Sequence, residues 1–151
     1  MKWSFWLLAS IGFLFINEIT VHWLLAIKVG DYSIGDGYTA ATRYFTVNGF
    51  LFSAYFRAIP YLLLALVAAK SRLRLTPQGR GAIWFALAAL ALIHFLGYWG
   101  MQYSLYTPEH TSSTAALALI FIPLHAIYLA AIAGGVGYAL TMGVKAVSGR
   151  I

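Results

Sequence analysis

The sequence predicts an all-α integral membrane protein, a bundle of four transmembrane helices, and three observations carry that expectation. Mean hydropathy is +0.80 and 62% of the residues are hydrophobic. Only 9% are charged, too few polar groups to cover the surface of a water-soluble domain. The apolar residues also fall into four long runs, at about 3–29, 44–69, 82–103 and 114–144. Each is at or above the ~20 residues that cross a hydrocarbon core. Together they occupy the 151 residues as a single transmembrane domain, with no room for a soluble one.

The first run, from Trp3 to Val29, has Trp3 and Trp6 at one end and Trp23 and Lys28 at the other, as interfacial anchors. Met1-Lys2 before an apolar stretch resembles a signal peptide, but the run continues far past an ordinary signal core and offers no small-x-small cleavage site before Asn17. It reads as a retained first span. Residues 30–43, GDYSIGDGYTAATR, are rich in Gly, Asp, Ser and Thr and read as a loop. The second run carries Asn48, Arg57 and Pro60 and ends in the basic turn KSRLRLTPQGRG. The third holds His94 and finishes in an aromatic belt of Tyr98, Trp99, Tyr103 and Tyr106. After TPEHTSS, where Ser112 or Ser113 can cap a helix, the fourth run holds Pro123, His125 and the small-residue stretch AAIAGGVG. Its length calls for a tilt or a kink.

The net charge of +6 and pI near 9.7 are not a nucleic-acid footprint, because the cations sit at span ends, where the bilayer is the partner. Lys2, Lys70, Arg72, Arg74, Arg80, Lys145 and Arg150 fall on one side, against Lys28 and Arg43 on the other. The positive-inside rule then puts both termini in the cytoplasm of a bacterial-type inner membrane. The chain has no cysteine, which excludes disulfides, thiolate metal sites and thiol nucleophiles.

The candidate site begins in FINEITVHW, residues 15–23. On a continuous helix Glu18 and His22 lie one above the other, with Asn17 beside them. Glu18 falls roughly 23 Å from the inner end, too deep to reach water unaided. Arg57, about 18 Å from the outer end of the second span, is at a depth to pair with it. His94 and His125 fall near mid-membrane and Asn48 higher. Ionised groups at such depth cost at least ~2.5 to 3.5 kcal/mol, so they should face inward. Nearer the cytoplasm, LLLALVAA, FALAALAL and AAIAGG supply small apolar residues for close packing. The expectation is an outward-open polar pocket bounded by Glu18, His22, Asn48, Arg57, His94 and His125, closed toward the inside.

That pocket fits a small transport, channel or ligand-binding protein handling a proton, an ion or a small polar solute. One alternative is a non-enzymatic partner protein, a toxin-immunity or assembly subunit, working through a lipid-facing surface at Ala130, Gly134 and Gly137. The same Gly134–Gly137 face could also bind a second copy of the chain. Another is a redox module holding a b-type haem between His94 and His125, with Gly12 and Gly97 giving room; no other cofactor is expected. Asp31, Asp36, Glu109 and His110 on the outer loops offer ligands for a divalent cation, but they also read as turn and helix-start chemistry. No HExxH, no GxSxG and no intramembrane carboxylate dyad is present, so an enzyme is the weaker reading.

Overall fold

The computed structural model describes residues 1–107 and 115–148, with side chains described over 1–107 and 117–144. Glu109, His110, Ser112, Ser113 and Arg150, and the side chain of Lys145, lie outside the described residues. The described chain is all helical: α1 (Trp3–Phe15), α2 (Glu18–Lys28), α3 (Ile34–Thr42), α4 (Val47–Lys70), a 3-10 turn (Arg72–Leu75), α5 (Pro77–Tyr103) and α6 (Ala115–Ser148).

Three helices are long and apolar enough to cross a membrane: α4, α5 and the stretch Leu117–Val144 of α6. The expected first span is broken. α1 and α2 together have the length and hydropathy of a fourth crossing, but they meet at a bend of 68°. Pro60 and Pro123, by contrast, lie inside helices that run on without interruption.

The starts of α2, α3, α4 and α5 are each written locally by a side-chain cap. Thr46 caps α4 by accepting from the Gly49 amide, and Thr76 caps α5 by accepting from the Gly79 amide, with Pro77 in the first turn. α5 therefore begins five residues before the expected Ala82. The segment expected to be a loop contains α3, capped by the Ser33 hydroxyl and held on α2 by the Trp23 indole N–H, which donates to the Ile34 carbonyl at 2.9 Å. Asp36 accepts from the Ser33 hydroxyl at 2.7 Å, so it serves this cap. Asp31 takes the left-handed backbone conformation, φ 55°, in the turn before it.

α5 is the hub: α1, α2, α4 and α6 all pack on it, α6 along most of its length. The core joins Phe5 of α1, Tyr61 and Ala68 of α4, Ile83, Leu87 and Leu90 of α5, and Ala126 and Ala130 of α6. Outside it, large apolar side chains such as Leu62, Leu92, Ile132 and Val136 are exposed, as a helix bundle solvated by lipid requires. Packing of α6 on α5 uses the glycines. A Cβ at Gly137 would sit 2.7 Å from the Phe85 side chain, and one at Gly81 would collide with Thr141. Ala130 is likewise buried in the core. Of the face from Gly134 to Gly137, Gly134 and Gly137 are thus buried against α5, while Gly135 and Val136 are exposed.

The half of the bundle near the basic turn is also less closed than expected. α4 and α6 stand apart there, leaving an apolar cleft of about 470 Å³ lined by Leu63, Leu64, Val67, Ile83, Ala131 and Gly135, among others. Small side chains bring helices together only where a neighbouring backbone occupies the space, and α5 does so for α6 far more extensively than α4 does.

Candidate functional site

The break between α1 and α2 is built by Asn17. Its side-chain oxygen accepts from the amides of Ile19 and Thr20, both at 3.0 Å, and its Nδ2 donates to the Leu14 carbonyl at 2.8 Å. One side chain thereby satisfies free backbone groups of both half-helices, which lipid could not do. Glu18 is the first residue of α2, where a carboxylate also meets the positive end of the helix dipole.

Glu18 Oε2 accepts from Arg57 Nη1 and from Ser53 Oγ, each at 2.9 Å. Arg57 is only 2% exposed, while the Glu18 side chain keeps 15%. The guanidinium carbon also stands 5.3 Å from the Phe13 ring centre and 5.8 Å from that of Phe50, so aromatic faces supplement the ion pair. Gln102 Nε2 donates to the Glu18 backbone carbonyl at 2.9 Å and ties α5 to the break. The second Glu18 oxygen accepts nothing from the described residues.

Inward from this pair, two helices present polar residues at four-residue spacing. α4 carries Ser53, Arg57 and Tyr61; α5 carries His94, Tyr98 and Gln102. All six are buried. The two rows run antiparallel and face one another. The Tyr98 hydroxyl stands beside Ser53 and Arg57 without a hydrogen bond of regular geometry, and the Tyr61 and His94 rings are 5.5 Å apart. His94 Nδ1 donates to the Leu90 carbonyl at 2.8 Å. That leaves His94 Nε2, Arg57 Nε, Gln102 Oε1 and the Tyr61 and Tyr98 hydroxyls as buried polar atoms of these rows with no hydrogen-bond partner among the described residues.

On the α2 side of the break, Glu18 and His22 line a cavity of about 210 Å³ with Tyr44, Thr46, Phe50 and Gln102, among others. His22 Nε2 and the Tyr106 hydroxyl are 2.8 Å apart. Burial pushes the Tyr106 hydroxyl pKa up, so that group keeps its proton and donates to or accepts from the imidazole nitrogen according to the tautomer. Tyr106 also stacks edge-on to Tyr32, closing the outer end of α5 over α2.

Of the six residues expected to bound one pocket, the structure brings Glu18 and Arg57 into contact, sets His22 at the mouth and His94 in the buried row. Asn48 is exposed in the first turn of α4, and His125 is exposed on α6 beside a surface groove with Ile93, Gly97 and Phe121. Asn48 and His125 turn away from the others because, on a helix that is apolar all round, position along the chain does not fix azimuth. His94, buried between Tyr61 and Tyr98, and His125, facing outward, do not converge, so they do not form the axial pair considered for a haem. Among the described residues no three His, Asp or Glu side chains come close enough to hold a metal ion. Ser53, Tyr61, Tyr98 and Gln102 were missed as site residues. Their signal was four-residue spacing from Arg57 and His94, which marks one helix face.

No protein-family model, curated protein or solved structure matches this chain.

Proposed function

We propose that the chain is a small proton-coupled transport or ligand-binding protein of a bacterial-type inner membrane, with Glu18 as the group that exchanges its proton or ligand with the outer cavity. One observation carries the reading: a span interrupted at Asn17 that opens its second half on a carboxylate, held by Arg57 and Ser53 on one oxygen and bordering a cavity. Interrupted helices in membranes are tolerated where protein or a cavity satisfies the backbone, and the half-helix ends are where transporters build their sites. Protonating Glu18 weakens the acceptor that Arg57 and Ser53 share, which couples occupancy to the fit of α4 against α2. The row Arg57, Tyr98, His94 and Tyr61 supplies donors and acceptors for a proton moving further inward. In this reading α1 and α2 count as one bent crossing, completing four. The basic end with Lys2, Lys70, Arg72, Arg74 and Arg80 then faces the cytoplasm, both termini are inside, and the cavity opens outward.

The test is purified protein in liposomes containing a trapped pH dye, with a potassium diffusion potential as driving force. Wild type is expected to change the internal pH, and Glu18→Gln combined with Arg57→Gln, which keeps the interior neutral, is expected to abolish the change while remaining folded by circular dichroism. Equal traces for empty liposomes and wild type, or for wild type and the folded double variant, would overturn the proposal.

A further inference from the structure

The cleft of about 470 Å³ between α4 and α6 belongs to no part of the Glu18 site, and its lining is apolar throughout: Leu64 and Val67 from α4, Ile83 from α5, and Ala131, Gly135 and Tyr138 from α6. At its basic end it is bounded by Leu73 of the 3-10 turn. That turn and its flanks carry Lys70, Arg72, Arg74 and Arg80, all exposed. None of the four makes a salt bridge with a described carboxylate; the ion pair of Arg57 with Glu18 is the only one among the described residues. An apolar slot that opens to lipid therefore ends under four unneutralised cations.

We infer that this cleft is a binding site for an anionic phospholipid, one acyl chain lying along Leu64, Val67 and Gly135 and the phosphate headgroup against Arg72 and Arg74. Water is a poor occupant, since the slot offers it almost no polar partners. A second copy of the chain, itself carrying a net charge of +6, offers these four cations little neutralisation, whereas an anionic lipid brings both an acyl chain and a counter-charge. Basic pockets between transmembrane helices select anionic headgroups, which supplies the preference that the apolar walls cannot.

Native mass spectrometry of the full chain, released from detergent after titration with phosphatidylglycerol or phosphatidylcholine of identical acyl chains, tests the site. Wild type should retain one phosphatidylglycerol at several-fold higher occupancy than phosphatidylcholine. Arg72→Gln with Arg74→Gln should equalise the two lipids. Gly135→Leu should remove the retained lipid, because a Cβ there meets nothing within 4 Å and the larger side chain grows into open cleft. Ala131→Leu gives the same reading should Gly135→Leu fail to fold. Equal retention of both lipids by wild type, or a phosphatidylglycerol preference that survives filling of the cleft in a folded variant, overturns the inference. So does a mass of two chains that Gly135→Leu reduces to one, which would make the cleft a dimer contact.

Discussion

Glu18 and Arg57 show why a membrane chain carries charge at depth. Each alone would be several kcal/mol too costly to bury, and together, with Ser53 completing the carboxylate oxygen, they form a neutral unit. Replacing Glu18 by Gln leaves Arg57, almost fully buried, without its counter-charge. The expected loss of folding stability is about 3 to 5 kcal/mol. Adding Arg57→Gln should recover a substantial part of it, so a double-mutant cycle by unfolding in mixed micelles should give a coupling well beyond additivity. The pair was legible in the sequence because an acid and a base stand alone inside neighbouring apolar runs, where each needs a counter-charge. Tyr98 was not, because a tyrosine near a span end reads first as an interfacial anchor, and Tyr61 was not, because a mid-span tyrosine carries no mark of its facing; only packing shows these two turned inward.

The decisive event at the level of elements is the interruption of the first span. FINEIT contains neither Gly nor Pro, and hydropathy runs through it smoothly enough to read as one helix. The signal was present in a subtler form: Asn directly before Glu is the pattern of a capped helix start. Asn17 does two jobs, so its variants should separate them. Asn17→Ser keeps an oxygen for the α2 amides but loses the bond to the Leu14 carbonyl, while Asn17→Ala loses both. The thermal midpoint in detergent should fall in the order wild type, Asn17→Ser, Asn17→Ala. The capping loss alone is worth about 1 kcal/mol. Equal midpoints for Ser and Ala would mean that the cap contributes nothing at the break.

The whole molecule is a hub-and-spoke arrangement around α5, with its basic residues gathered at the end where α1 and α5 begin and α4 ends. Edge-on packing of Phe5 against Trp84, at 5.6 Å between ring centres, fixes the start of α1 beside the start of α5. Both ends are open to a direct test because the chain has no cysteine of its own. A cysteine at Tyr38 in α3 should react with a membrane-impermeant maleimide in intact cells, and one at Leu75 in the basic turn only after permeabilisation; both native side chains are well exposed. The reverse pattern would invert the orientation. Labelling of both from outside would mean that α4, which alone connects them, does not cross.

Composition, charge placement and run length determined that this chain belongs in a membrane, where its long apolar helices lie, and that its polar residues at depth would come from several of them. Those properties are sums along the chain and survive any rotation of a helix. The tertiary structure alone decided that His94 is buried while Asn48 and His125 are exposed, that Gly137 is spent on Phe85, and that the half near the basic turn holds a cleft. In water a helix reveals its inner face by the contrast between apolar and polar sides. In a bilayer the solvent is as apolar as the core, so Leu on either face costs the same and the sequence carries almost no record of which way a helix turns. Facing is then set by particular contacts, the Glu18–Arg57 pair, the Gln102 bond to the break and the close approach at Gly137, which exist only once the helices are assembled.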